Sequence, residues 1–178
     1  MSLMFLLSQI FGIIALFFGC YAYFSKTKTG FLIILSICDV FYAGSYLFLG
    51  SYVAGFVTVL SIINTITFYF CQKNNFKYDH IFLILFIILN IIITIIFWES
   101  LIDIVPLITS SLFIYIMFIK NIQLTRYLTL VPNTILLIYN FSLMAYANGI
   151  LAFIEIIVTV VAIIKFQKNL KNNNLNED

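Results

Sequence analysis

Long apolar segments separated by short polar breaks dominate this sequence, and each segment is long enough to cross a bilayer as a helix. A hydrocarbon core of ~30 Å requires about 20 apolar residues in a helix. The pattern predicts seven such spans, at about 4–24, 30–49, 53–71, 79–98, 101–119, 124–144 and 147–165. We therefore predict an all-α membrane protein with seven transmembrane helices.

The segment 79–98 stands alone between two blocks of similar length and pattern. The blocks align without gaps at an offset of 94 residues, which pairs Tyr52 with Tyr146 and Gly55 with Gly149. One odd helix between two triplets lets both triplets cross the membrane in the same direction, a known transporter design. We predict a single membrane domain that comprises two parallel three-helix repeats (about 4–71 and 101–165), the linker helix 79–98, and a polar, frayed cytoplasmic tail at 166–178.

The basic residues are distributed asymmetrically among the loops. All nine follow spans one, three, five or seven, whereas the loops after spans two, four and six carry no Lys or Arg. Lys and Arg are enriched in cytoplasmic loops, so we predict an outside N-terminus and a cytoplasmic C-terminus. The composition agrees with a multi-pass protein, because 63% of the residues are hydrophobic and only 9% are charged.

Two acidic residues, Asp39 and Glu155, fall near the predicted bilayer midplane. A charge at that depth costs roughly 2.5–3.5 kcal/mol on insertion scales. The functional interpretation is a substrate contact or a protonation site coupled to transport. The structural alternative is a neutral acid that is hydrogen-bonded to Ser61, Asn64 or Tyr46.

Three asparagines, Asn64, Asn133 and Asn140, lie at a similar predicted depth and complete the candidate substrate-binding set with the two acids. They could line a polar cavity, or they could hold helices together through hydrogen bonds. Asn90, alone on the linker helix, fits the second explanation better.

No motif for catalysis or cofactor binding stands out. Cys20, Cys38 and Cys71 all precede the only histidine, and His80 beside Asp79 at a helix end fits an interfacial pair better than a metal site. A glycine-rich phosphate loop and a His-Glu-x-x-His motif are absent from the sequence. We expect no enzyme activity, metal or cofactor. The expected partners are the lipid bilayer and a small polar solute, with a homo-oligomer as a further option and no nucleic acid.

Several short motifs give the chain a family resemblance. Gln9-x-x-Gly12-x-x-Ala15 opens span one, Leu49-Gly50-x-Tyr52 joins spans two and three, Asn64 lies in span three, an acid shortly precedes Pro106, and Tyr139-Asn140 comes late in span six. In their order and spacing the chain resembles the YgjV family of small bacterial inner-membrane proteins over nearly its whole length. Two positions depart from the family pattern, Thr65 in place of a basic residue and Thr109 in place of a glycine.

The resemblance implies a location in the bacterial inner (plasma) membrane. The layout is similar to that of the three-one-three carriers, namely the SWEET, PQ-loop and PnuC-type transporters, in which substrate lies between the two triplets. The predicted function is transport of a small polar solute by alternating access. The alternative is a non-transporting integral membrane protein that acts as an assembly or interaction partner. A water-accessible cavity that reaches the polar residues would distinguish the two.

Overall fold

The computed structural model describes residues 3–74 and 79–174, and these residues form seven α-helices and one turn of 3-10 helix. The helices are α1 (Leu3–Tyr23), α2 (Lys28–Phe48), α3 (Tyr52–Lys73), α4 (Asp79–Ile96), α5 (Ile104–Phe118), α6 (Ile122–Ser142) and α7 (Tyr146–Asn174), and the 3-10 turn (Leu101–Asp103) precedes α5. The prediction of an all-α fold with seven helices is confirmed.

Five of the helical segments described are long and apolar enough to cross a membrane. They are α1, α2, α3, α7, and α5 together with its 3-10 turn. The apolar part of α4 is shorter, and α6 carries polar residues such as Arg126 and Asn133 along its length. Membrane crossing by α4 and α6 stays a prediction, based on the alternating direction that the short connections impose.

The last helix is longer than expected. We predicted that the chain would fray after Phe166, but α7 continues to Asn174. The extension contains no Gly or Pro to end the helix, and at its start Gln167 Nε2 donates to the Tyr127 hydroxyl of α6 at 2.6 Å. Residues 175–178 lie outside the described residues.

The helices pack as two triplets, α1–α2–α3 and α5–α6–α7. Between the triplets, α1 packs against α7 and α3 against α5. At the offset of 94 residues, α1 corresponds to α5 and α3 corresponds to α7. A rotation that placed one triplet on the other would therefore place the α1–α7 contact on the α5–α3 contact. Helix α4 packs on α3 and α5 and exposes Ile84, Ile88 and Ile95 on its other side.

The turns that end α2 and α6 share one geometry. Gly50 and Met144, which are 94 positions apart in the sequence, have φ angles of 79° and 57°. In the first turn, the Gly50 and Ser51 amides donate to the Leu47 and Tyr46 carbonyls, and the Met144 turn repeats this pattern at the equivalent positions. This pair of hydrogen bonds defines the Schellman motif. The match supports the predicted repeat, whereas superposition of the complete halves stays a prediction.

We call the helix ends near Ser25, Lys28 and Arg126 the basic end. Here the two triplets are joined by hydrogen bonds from buried cations. Lys28 Nζ donates to Thr125 Oγ1 at 2.9 Å and to the Ile116 carbonyl at 3.4 Å. Arg126 of the second triplet donates from Nη2 to the carbonyl of Ser25, next to the first triplet, at 2.9 Å. Both cations thus bond across the boundary between the triplets.

Candidate solute-binding site

A cavity of about 80 Å³ lies between the two triplets. Side chains of α2, α3, α5, α6 and α7 line it, so both triplets contribute to its wall. A volume of roughly 10–15 Å³ on this scale accommodates one water molecule, so the cavity has room for several waters or a small polar group. The polar and aromatic residues of its wall are Asp39, Tyr42, Tyr46, Thr58, Ser61, Thr109, Ser110, Phe113, Asn133, Tyr139 and Glu155.

The two predicted acids line this cavity from opposite triplets, Asp39 from α2 and Glu155 from α7. Asp39 Oδ2 accepts a hydrogen bond from Ser61 Oγ of α3 at 3.1 Å. Ser61 is one of the partners expected if Asp39 had a purely structural role. The same bond also fixes the carboxyl group at the cavity wall, where a solute could reach it.

Glu155 is held differently. Its side chain is only 5% exposed, and within the part of the chain that the structure describes its carboxyl has no hydrogen-bond or ion-pair partner. The carboxyl lies against the backbone of α1 at Gly19, where a Cβ atom would stand 2.5 Å from Glu155 Oε1. The glycine therefore makes the space that the acid occupies. A buried acid without a partner in a cavity wall is a strong candidate for ligand contact.

The three predicted asparagines are separated by the structure. Asn133 lines the cavity. Asn64 is fully buried, but it lies about one turn beyond Ser61 toward the basic end, and no described residue hydrogen-bonds its amide atoms. Asn140 is also fully buried, and its Oδ1 accepts from the Tyr46 hydroxyl at 2.7 Å. The cavity thus brings together Asp39, Asn133 and Glu155 but not Asn64 or Asn140.

Tyrosines form much of the wall toward the end opposite the basic end, and they were not among the predicted site residues. Tyr46 bonds to Asn140, the residue at the equivalent repeat position 94 residues later. Beside it, the Tyr139 hydroxyl lies 3.0 Å from Ser51 Oγ. A rotation axis that related the halves, as the repeat prediction requires, would bring equivalent residues together where they lie near the axis. The alignment at this offset was therefore the signal that could have placed Tyr46 beside Asn140.

Asn90 has the structural role that we expected. Its Nδ2 is 2.7 Å from Ser110 Oγ and 2.9 Å from Ser111 Oγ, both on α5. The side chain is fully buried. These bonds attach the linker helix to the second triplet.

Five apolar helical segments of membrane-spanning length, asparagines buried between helices, and a cavity between two triplets together indicate a multi-pass membrane protein. The model of the Imp-YgjV family, described as bacterial inner membrane protein, matches residues 6–170. The chain therefore belongs to this family of the bacterial inner membrane. No curated protein and no solved structure matches the chain significantly.

Proposed function

We propose that the protein transports a small polar solute across the bacterial inner membrane by alternating access between its two triplets. The observation that carries the proposal is the cavity between the triplets, with Asp39, Asn133 and Glu155 in its wall. Intramembrane acids are costly, and they commonly mark substrate or ion pathways.

The contacts between the triplets are compatible with alternating access. Hydrogen bonds such as Lys28–Thr125 and Arg126–Ser25 join the triplets at the basic end, and Tyr46–Asn140 joins them toward the other end. Groups of this kind can exchange a protein partner for water at little net cost. We propose that either end opens while the other remains closed. We further propose, from the distribution of Lys and Arg, that the N-terminus is outside and the basic end is cytoplasmic.

The cavity wall does not support a cysteine nucleophile. Among the described residues that line it, Cys38 carries the thiol, and this thiol donates to the Ala15 carbonyl at 3.2 Å rather than to an acid. A nucleophilic cysteine requires a neighbouring base that accepts its proton. We therefore propose binding and passage of a solute rather than cysteine-based chemistry.

The rival function is that of a non-transporting assembly or interaction partner. The Ser61–Asp39 and Tyr46–Asn140 hydrogen bonds favour it, because such bonds hold helices together. Under this function the acids contribute to folding alone.

A thermal-shift screen of the purified protein against sugars, amino acids and nucleosides tests the proposal. Asp39→Asn and Glu155→Gln preserve shape and hydrogen-bonding capacity, and we expect them to fold normally but to lose the stabilisation by a solute or its pH dependence. Glu99→Gln, at an exposed acid outside the cavity, is the matched control and should respond like the wild type. A full response in both cavity variants at every pH would contradict the proposal, and unfolding of both would favour the rival.

A further inference from the structure

The ionisable carboxyl groups of the cavity wall are not matched by basic groups. Asp39 and Glu155 are its ionisable acids, and among the described residues no Lys, Arg or His lines it. The two buried cations Lys28 and Arg126 bond to groups at the basic end instead. The cavity therefore holds up to two negative charges without a basic side chain to balance them.

The remaining polar groups in the wall do not change this balance. Thr58, Ser61, Thr109 and Ser110 contribute neutral hydroxyls. Three of the four hydroxyls donate to backbone carbonyls in their own helices, and Ser61 donates to Asp39. Ser110 Oγ already accepts from Asn90 Nδ2, whereas the hydroxyl oxygens of Thr58 and Thr109 retain acceptor capacity, which suits a donor such as an ammonium group.

Aromatic rings supply a second feature that favours cations. Tyr42, Tyr46, Phe113 and Tyr139 all line the cavity. The face of an aromatic ring attracts a cation within about 6 Å, and the attraction strengthens when the cation is desolvated. Acids combined with aromatic faces provide both charge balance and contact area for an organic cation.

We propose that the solute is a small organic cation, such as a protonated amine, whose charge Asp39 and Glu155 balance. This inference rests on the proposed function and narrows its substrate class. Glu155 gives the main independent support, because it is a buried side chain in the cavity wall with no partner among the described residues. Either acid in its ionised form would repel an anionic solute, whereas a cationic solute would stabilise that form in a medium of low dielectric constant.

A cysteine in the cavity wall reports the selectivity directly. Thr58 is suitable because its hydroxyl bonds only to the Ala54 carbonyl of its own helix, at 2.7 Å, a contact that a thiol can replace. Thr58→Cys is made in a background in which Cys20, Cys38 and Cys71 are replaced by Ala. Thr109→Cys, on the facing helix α5, serves as a second position should the first variant fold poorly.

The reagents are three methanethiosulfonates that carry a trimethylammonium-ethyl, a sulfonato-ethyl or a methyl group. The ratio of cationic to anionic reaction rates is normalised to the ratio for free 2-mercaptoethanol. We expect the normalised ratio to exceed about tenfold and to fall toward one when Asp39→Asn and Glu155→Gln are combined. Ethanolamine should slow the labelling, whereas ethylene glycol and glycolate, which have nearly the same size, should not.

The outcomes separate the two claims. If the neutral reagent reacts but the normalised ratio is near one, or if ethylene glycol protects as well as ethanolamine, the cavity is open to water and the cation inference is wrong. If the neutral reagent fails to react at both positions in folded protein, the cavity is closed to water. That result would overturn the cation inference and the transport proposal together.

Discussion

Gly19→Ala tests the position of Glu155 without changing any charge. A methyl group at residue 19 would lie 2.5 Å from Glu155 Oε1, whereas ordinary contacts begin at 3.4 Å. The carboxyl must therefore move away from α1. The next atoms, Leu151 Cδ1 at 3.2 Å and Cys38 Sγ at 3.4 Å, leave little other room.

The expected effect on stability is small. The displaced atom is the end of a flexible side chain, and a strained rotamer costs about 0.5–1.5 kcal/mol. Replacing a helical Gly by Ala stabilises the helix by up to about 1 kcal/mol, which offsets part of this cost. Gly12→Ala is the contrasting control, because its methyl would lie 2.8 Å from the Cβ atom of Ala147, which cannot rotate away. The added methyl group should therefore push α1 away from α7 and lower the free energy of unfolding by roughly 1–3 kcal/mol.

Thermal melting in detergent measures stability, and the cationic-to-anionic labelling ratio at Thr58→Cys measures the site. We expect Gly19→Ala to melt near the wild-type temperature with a reduced labelling ratio. Glu155→Asp, one methylene shorter, should relieve the clash, so the double variant should melt no lower than Glu155→Asp alone. If Gly19→Ala lowers the melting temperature as much as Gly12→Ala, or leaves the labelling ratio unchanged, the described position of Glu155 is wrong.

Three further predictions concern the turns, the attachment of α4 and the membrane topology. Met144→Gly should stabilise the protein and Gly50→Ala should destabilise it, each by about 1 kcal/mol, because both residues have positive φ angles. We expect the two substitutions to shift the melting temperature in opposite directions. Equal shifts would contradict the turn geometry. Asn90→Ala should cost about 1 kcal/mol through loss of its bonds to α5, and an unchanged melting temperature would show that these bonds add nothing. A cysteine introduced at Ser100 should react with an impermeant reagent from outside the cell and one at Asn121 should not; equal labelling of both would end the parallel-repeat prediction.

The helices and the cavity acids could be predicted because they leave local signals in the sequence. The length of an apolar segment predicts a membrane span, and Lys and Arg residues are concentrated in alternate loops. Asp39 and Glu155 were recognisable because an acid in an apolar span is rare and needs a reason. The alignment at an offset of 94 residues pairs Tyr52 with Tyr146 and Gly55 with Gly149, directly after the two turns that share one geometry.

The detailed composition of the site was not predictable, because both lipid and protein interior are apolar and periodicity alone does not fix how each helix is rotated or shifted. Asn64 lies one turn too far along α3 to reach the cavity, a difference of depth that span lengths do not resolve. Asn140 bonds to Tyr46, a contact between helices that only the packed fold reveals. The space for Glu155 depends on Gly19, which is far away in sequence.

Labelling Thr58→Cys from each side of the membrane tests alternating access. The impermeant trimethylammonium-ethyl reagent is added to right-side-out vesicles and, separately, to inverted vesicles. We expect reaction from both sides, because the proposed cycle opens the cavity in turn at the basic end and at the opposite end. Reaction from one side only, or from neither, in folded protein would contradict it.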